Sequence, residues 1–313
     1  MTRERIGLRR LLPALMVFVL FMTTLLQTPR TVRAVEPEWA AMASLFIPGV
    51  GQMMNEDYVT GGAHFLITMG LYNQYFKRAD DPRYIKYEDR YDEVNNVILT
   101  NSTTFEADLF AYTAQNLSFY SAYGAYRDGR AAIGNKGYKT PVPPDSLMDL
   151  AIAPFNPAHL SRPTTILPLM IPLLVAASSA SSTQLVYQPD DTITRNEMRY
   201  GFAFMMEGVA IGEEAFFRGF LNNSFSSSLG ETWGLVLSSV IFGLAHGGDP
   251  GQATSLSATL FGGYIGYLQQ KNDYSIAQGV AIHFWWNFLA SLSMLKERNQ
   301  NVEVQLFTYG MVF

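Results

Sequence analysis

The sequence contains no cysteine, which excludes disulfide bridges, thiolate metal sites and cysteine nucleophiles. Charged residues are also scarce, at 16% of the chain against roughly 25% in ordinary soluble domains. The net charge is −5 and no long basic run occurs, so we expect no nucleic-acid partner. Apolar residues make up 48% of the sequence, which indicates apolar spans joined by polar loops.

The N-terminus has the pattern of a targeting segment. Several arginines precede the apolar run Leu11–Leu26, and the polar stretch that follows ends in Val32-Arg33-Ala34, a small-residue exit typical of signal peptidase sites. We interpret residues 1–34 as a signal peptide, with an uncleaved N-terminal anchor as the alternative. Either interpretation directs the chain to a membrane.

The second half of the chain is rich in apolar stretches with short connections. Four or five of them approach the roughly 20 residues that a membrane-spanning helix needs: Pro163–Tyr187, Tyr200–Leu221, the shorter Trp233–His246, Gln252–Gln270 and Ile276–Leu295. Short connections favour antiparallel neighbours. We therefore predict an all-α fold, a polytopic transmembrane helix bundle over residues 161–296, followed by a C-terminal tail over residues 297–313. A glycine stripe containing Gly208 and Gly212, extended by Gly201 and Gly219, favours close helix packing.

The first half has a different character, and we predict an N-terminal membrane-associated region with charged loops over residues 35–160. Two apolar stretches, Leu45–Met54 and Gly62–Phe76, are separated by Asn55-Glu56-Asp57, and the string Pro48-Gly49-Val50-Gly51-Gln52 indicates a tight corner. The aromatic segment Phe105–Tyr126 is typical of an amphipathic or interfacial helix. The proline-rich segment Tyr138–Pro163 is the best domain boundary.

One apolar stretch carries four ionisable residues, which are functional candidates by default inside a membrane span. They are Glu207, Glu213, Glu214 and Arg218. Helical spacing puts Glu214 and Arg218 on one face, so we predict an ion pair, and a purely structural role for Glu214 stays open. Glu213 points away from that pair and has no helical partner, which suits a general base.

The next polar groups lie on two further apolar stretches. His246 ends one of them, and His283 and Asn287 lie four residues apart on the last. Taken singly, each suits an inter-helix hydrogen bond as well as it suits a catalytic role. Together with Glu213 they supply a base for activating water and donors for a developing oxyanion.

These residues form three motifs in a fixed order. Glu213-Glu214-Ala215-Phe216-Phe217-Arg218 fits Glu-Glu-x-x-x-Arg, Phe242–His246 fits Phe-x-x-x-His, and His283–Asn287 fits His-x-x-x-Asn. In this order and on apolar helices, they resemble the motifs of the CPBP family, the CAAX-protease and bacteriocin-processing, or Abi, intramembrane proteases. The resemblance covers roughly residues 160–295 and not the first half of the chain.

The resemblance implies a role for each motif residue. Glu213 would activate the attacking water and His246 would share it. His283 and Asn287 would stabilise the oxyanion, and the pair formed by Glu214 and Arg218 would orient the site. Because the sequence has no His-Glu-x-x-His pairing, we favour a mechanism without a cofactor. Zinc bound by Glu213, His246 and His283 is the alternative.

The sequence therefore predicts an intramembrane endopeptidase that acts on membrane-associated protein or peptide substrates. Its expected surroundings are the lipid bilayer, as a multi-pass protein of a bacterial inner membrane. One alternative is a non-catalytic membrane scaffold or immunity-type protein on the same fold. A proton-linked transporter is a second alternative, and it predicts an internal repeat that the sequence does not show.

Overall fold

The computed structural model describes residues 35–79, 90–92, 97–177, 184–188, 195–246 and 252–293. The predicted signal segment 1–34 and the tail 297–313 lie outside the described residues. In chain order the helices are Pro37–Phe46 (α1), Val50–Met54 (α2), Tyr58–Ala79 (α3), Ser102–Ala132 (α4), Leu147–Ile152 (α5), Pro157–Leu160 (α6), Pro163–Ala177 (α7), Arg195–Glu213 (α8), Asn223–Leu229 (α9), Glu231–Ala245 (α10), Gln252–Lys271 (α11) and Ala277–Ser293 (α12). A π-helical segment, Glu214–Asn222, joins α8 to α9.

Helices dominate the described residues, which confirms the helical part of the predicted fold. Three short strands are an addition to it: Arg90–Asp92 (β1), Val97–Asn101 (β2) and Gln184–Gln188 (β3). Strand β2 pairs antiparallel with β1 and parallel with β3. The predicted apolar helix Pro163–Tyr187 was therefore too long, because its end is a strand. Leu185-Val186-Tyr187 is rich in residue types that favour strands, as is Val97-Ile98-Leu99 opposite.

The lengths and compositions of these helices bear on the predicted membrane spans. Among the helices of the described ranges, none combines the length and the apolar character that a membrane crossing requires.

The predicted corner in the first half is a close crossing of two backbones. Gly49 has φ +91°, and a Cβ atom built on it would lie 1.9 Å from the carbonyl oxygen of Gly61 on α3, so only glycine fits. The corner is bonded to α4 through Ser121, whose hydroxyl accepts from the Gly49 N–H at 2.8 Å. The Ser121 carbonyl accepts from Gln52 Nε2 at 2.7 Å. Helices α1–α3 are therefore fixed to α4 as one unit.

Helix α4 lies inside the bundle, which corrects the interpretation of Phe105–Tyr126 as an interfacial helix. It packs against α1, α3, α8 and the π segment, and Tyr123 and Tyr126 are fully buried. Tyr123 shares one core cluster with Leu150, Ala210 and Phe284. The segments on either side of the predicted boundary thus bury their apolar surfaces against each other.

Three glycines of the predicted stripe, two on α8 and one on the π segment, face α4. Cβ atoms built on Gly201, Gly212 and Gly219 would meet Phe105, Asn116 and Tyr123 at 2.6 Å or less. A Cβ on Gly208 would meet nothing within 4 Å. Close packing of the two helices therefore requires three of the four glycines, and it sets the depth at which the residues after Gly212 lie in the bundle.

Candidate active site

The first motif lies where the helix changes its winding. Helix α8 ends at Glu213, and the π segment begins at Glu214. The N–H of Asn223 bonds to the carbonyl of Arg218, five residues earlier, which is the π-helical hydrogen bond. Segments of π-helix are rare in proteins overall, and many of those that occur lie at functional sites. The helix predicted over Tyr200–Leu221 is therefore continuous through the motif, but its hydrogen-bond pattern changes there from α-helical to π-helical.

A glutamine on α11 holds the π segment in place. Gln269 Nε2 donates to the Arg218 carbonyl at 2.8 Å, and Gln269 Oε1 accepts from Asn222 Nδ2 at 2.6 Å. Both side chains are buried. Sequence reasoning missed them, and the only signal was a pair of amides, Gln269-Gln270, at the end of an apolar stretch.

Glu214 is held by two partners in the interior. Its Oε1 lies 3.1 Å from Arg218 Nη1, which is the predicted ion pair. The same oxygen lies 2.7 Å from His283 Nδ1 on α12. The guanidinium of Arg218 lies 4.1 Å from the centre of the Phe242 ring, close enough for a cation–π interaction. Glu214 is 0% and Arg218 is 1% exposed, so neither group can exchange its partner for water.

Glu213 faces the two imidazoles of the other motifs. Its Oε2 lies 3.6 Å from His246 Nε2 and 3.7 Å from His283 Nε2. This oxygen is buried and has no hydrogen-bond partner among the described residues. His246 Nδ1 lies 2.7 Å from the carbonyl oxygen of Phe242, so Nδ1 carries the proton there. Both histidines bond through Nδ1 and turn Nε2 towards the Glu213 carboxylate.

These groups line a cavity of about 540 Å³. Four of the six predicted site residues, Glu213, His246, His283 and Asn287, contribute to its wall. Glu214 and Arg218 are not in the wall and lie behind it, in contact with His283 and Phe242. The remaining lining is mostly apolar: Leu167, Pro168, Ile171, Val209, Phe242, Ala258, Leu260, Phe261 and Trp286, with Tyr264 and Ser257 as polar members.

The remaining histidines and Glu207 lie away from this cavity. His64 on α3 packs near the ring of Tyr120, and His159 lies on the short helix α6. Glu207 is half-buried on α8 and does not line the cavity. The structure thus brings together the motif residues and leaves the others apart.

The donor types of Glu213, His246 and His283 would suit zinc, since two neutral imidazole nitrogens and a carboxylate oxygen converge. Across the described ranges, however, no group of three or more histidine, cysteine, aspartate or glutamate side chains is arranged to hold a metal ion. The metal-free mechanism stays a prediction, and the proton transfers are assigned to the side chains of this chain alone.

A buried carboxylate next to two imidazoles in the wall of an apolar cavity is an arrangement suited to hydrolysis with activated water. Residues 196–289 match the family model described as type II CAAX prenyl endopeptidase Rce1-like. The match contains all three motifs and confirms the resemblance of this segment to CAAX-type proteases. It covers less than half of the chain. No curated protein and no solved structure matches.

Proposed function

We propose that the protein is an intramembrane endopeptidase in which Glu213 activates water for attack on a peptide bond. The observation that supports this most directly is the position of Glu213 Oε2 in the wall of the cavity. This oxygen has no hydrogen-bond partner among the described residues, and it faces His246 and His283. The match of residues 196–289 to a family of peptidases supports the same reaction class.

The cavity leaves room for a water molecule beside these groups. Distances of 3.6 and 3.7 Å exceed those of direct hydrogen bonds, so the Glu213 carboxylate and the two imidazoles are not bonded to each other, and they are too short for a water to lie between the two atoms. A water on the cavity side of the pair donates one hydrogen to Glu213 Oε2 and the other to the lone pair of His246 Nε2. Its oxygen attacks the carbonyl carbon of the substrate as Glu213 takes the proton. Glu213 then passes that proton to the leaving amine as the C–N bond breaks.

The developing oxyanion needs donors on the opposite side of the carbonyl. Asn287, one turn after His283 on α12, has an amide that can donate without carrying a charge. His283 donates through Nδ1 to Glu214, so its Nε2 becomes a donor only when the ring takes up a second proton. In that form the carboxylate of Glu214 stabilises the imidazolium, and the three groups Glu214, Arg218 and His283 together carry a net positive charge, which favours a neighbouring oxyanion.

A location in the lipid bilayer is supported by exposed apolar side chains. Helix α10 carries Trp233, Val236, Val240, Ile241 and Leu244 on its outer side, all at least 36% exposed. Helix α3 exposes Leu66 and Ile67 in the same way. Large apolar side chains grouped on the outside of a helix in this way are typical of a surface that contacts lipid or a partner. The substrate is accordingly a membrane-associated protein or peptide, and the protein is a multi-pass protein of a bacterial inner membrane.

The test is a comparison of new protein N-termini in host cells carrying the native chain or Glu213→Ala at matched expression. We expect a set of termini that disappears with Glu213→Ala. The matched control is Glu207→Ala, which removes a carboxylate from the same helix outside the cavity and should leave those termini in place.

Two outcomes would contradict the proposal. Identical termini in all three strains would favour the non-catalytic scaffold or immunity-type protein on the same fold. Identical termini combined with the loss of the native chain's cellular phenotype in both Glu207→Ala and Glu213→Ala would instead favour a carboxylate relay of the transporter kind.

A further inference from the structure

A carboxylate from outside the family-matched segment caps the helix that carries His283. Asp145 lies in the proline-rich segment Tyr138–Pro163, here called the linker, and is only 6% exposed. Its Oδ2 accepts from the backbone N–H of Ile276 at 2.7 Å, and its Oδ1 accepts from the Ser275 hydroxyl at 2.8 Å. Ser275 and Ile276 immediately precede α12, so Asp145 serves as an N-terminal cap supplied by a distant part of the chain.

The turn that Asp145 caps has an unfavourable backbone. Asp273 and Tyr274 have φ values of +51° and +62°, in the left-handed region that residues other than glycine rarely adopt. Such conformations persist where the surroundings hold them. Besides Asp145, Arg162 contributes by donating to Asn272 Oδ1 at 3.0 Å and to Gln278 Oε1 at 2.8 Å. Side chains from other segments therefore hold this turn in the conformation from which α12 begins.

Asp145 is itself anchored to the long helix α4. Its backbone carbonyl accepts from the Tyr123 hydroxyl at 3.1 Å and from Arg127 Nη1 at 2.7 Å. Further along the linker, the carbonyl of Pro154 accepts from Trp285 Nε1 at 2.7 Å. The linker thus holds α12 at its first turn and again beside His283, and it connects both points to α4.

We propose that Asp145 is a positioning residue for the proposed hydrolysis: its cap fixes where α12 begins and hence where His283 and Asn287 lie opposite Glu213. This inference rests on the proposed function. His283 lies about two turns beyond the cap, so a displacement of the helix start is carried to its imidazole. Because a misplacement of about 1 Å can lower a rate by about a hundredfold, a lost cap would reduce turnover without removing any reacting group.

The experiment compares Asp145→Asn with Asp149→Asn in the full chain. Asp149 is the matched control because it is exposed and accepts hydrogen bonds from Ser146 at the start of its own short helix. Both changes remove one negative charge from the same linker. The side chain introduced by Asp145→Asn retains one acceptor oxygen, so we expect the variant to fold. Activity is measured on a peptide that spans a site whose cleavage in cells is abolished by Glu213→Ala.

We expect Asp145→Asn to lower kcat by about tenfold or more and to change KM by less than about threefold, since most of the apolar cavity wall belongs to helices other than α12. Amide hydrogen exchange should rise in peptides covering residues 272–282 and stay unchanged in α8 and α10. Asp145→Glu, which keeps the charge, should recover part of the kcat. Asp149→Asn should match the native chain in all three measurements.

Several results would overturn the inference: an unchanged kcat or unchanged exchange at the start of α12 in Asp145→Asn, an equal effect of Asp149→Asn, or exchange that rises throughout the chain. Failure of the proposed function looks different, since Glu213→Ala would then leave cleavage intact. The exchange measurement does not depend on activity and tests the cap in either case.

Discussion

His283 Nδ1 lies 2.7 Å from Glu214 Oε1, so the imidazole that faces Glu213 is held from behind by the neighbouring carboxylate. The same oxygen pairs with Arg218. Two adjacent glutamates therefore have different surroundings: Glu213 lines the cavity, and Glu214 lies behind it with its Oε1 bonded to a cation and an imidazole. The arrangement separates a carboxylate available for chemistry from one that holds the site together.

This separation predicts different stability losses at Arg218 and Glu213. Arg218→Met leaves the fully buried Glu214 without its cation, and breaking a buried pair in this way costs about 3–5 kcal/mol. Glu213→Gln removes a carboxylate that has no ion-pair partner closer than 3.6 Å, so it should cost about 1 kcal/mol or less. Denaturant unfolding in detergent measures both. Equal losses would refute the assignment of Glu214 and Arg218 as the supporting ion pair.

The positions of the motif residues could be predicted because each motif is local. Glu214 and Arg218 pair four residues apart, and His283 and Asn287 follow the same spacing on α12. Apolar stretches also gave the approximate bounds of the helices that carry them. Periodicity of this kind depends only on residues that are close together in the sequence, and it is the strongest structural signal in a single sequence.

The parts that the sequence could not supply depend on distant partners. The π segment is held by Gln269, 51 residues after Arg218, and α12 is capped by Asp145, 131 residues before Ile276. Neither partner forms a motif with the residue it serves. Strand β3 was not predicted for the same reason, since its pairing partner β2 lies far away in the sequence.

The role of Gln269 can be tested against its neighbour. Gln269→Leu removes the donor to the Arg218 carbonyl and the acceptor of Asn222 inside the bundle, so we expect a loss of about 1–3 kcal/mol in unfolding free energy. It should also lower turnover, because the π segment orients Glu213 and Glu214. The control is Gln270→Leu, whose side chain is half-buried and bonds at 2.8 Å to the Glu231 carbonyl, with longer bonds to Ser226 and to Asn222 of the π segment, so we expect a smaller effect than that of Gln269→Leu. A larger effect of Gln270→Leu would contradict this role.

The glycine stripe gives a second matched pair. Gly212→Ala places a methyl group 2.5 Å from the Asn116 side chain and 2.6 Å from its backbone oxygen, so α8 must move away from α4. We expect a loss of about 1–3 kcal/mol in stability and a drop in activity, since Glu213 is the next residue. Gly208→Ala meets nothing within 4 Å and should be neutral or slightly stabilising. Similar melting temperatures for the two variants would show that the helices do not depend on this contact.

Metal dependence is tested by chelation. The proposed mechanism assigns proton transfer to Glu213 and charge stabilisation to His283 and Asn287, so activity should persist after dialysis against EDTA. Inactivation by EDTA with recovery on added zinc would replace this mechanism with one in which Glu213, His246 and His283 hold the ion. A cofactor-free result with Glu213→Gln inactive would leave the carboxylate as the base.

The linker aspartates should affect stability in opposite directions as the pH changes. Burial raises the pKa of Asp145 above its ordinary value of 3.8, with the charge of Asp149 adding to the rise and hydrogen bonds from Ile276 and Ser275 and the charge of His159 opposing it. The folded state then binds this proton more tightly than the unfolded state. The part of the stability that depends on this proton is therefore full below pH 3.8 and is lost as the pH rises through the raised pKa, whereas the hydrogen bonds that Asp145 accepts at the start of α12 are those of the carboxylate itself.

Asp149 has the reverse sign. Hydrogen bonds from the side chain and backbone of Ser146 lower its pKa, so its contribution is present above pH 3.8 and is lost as the pH falls through the lowered value. The measurement is the free energy of unfolding of the native chain minus that of Asp145→Asn or Asp149→Asn, from about pH 2 to about pH 8. The first difference should fall with rising pH and the second should rise. Parallel curves would contradict the burial of Asp145 against the start of α12, because an exposed carboxylate at that position would behave like Asp149.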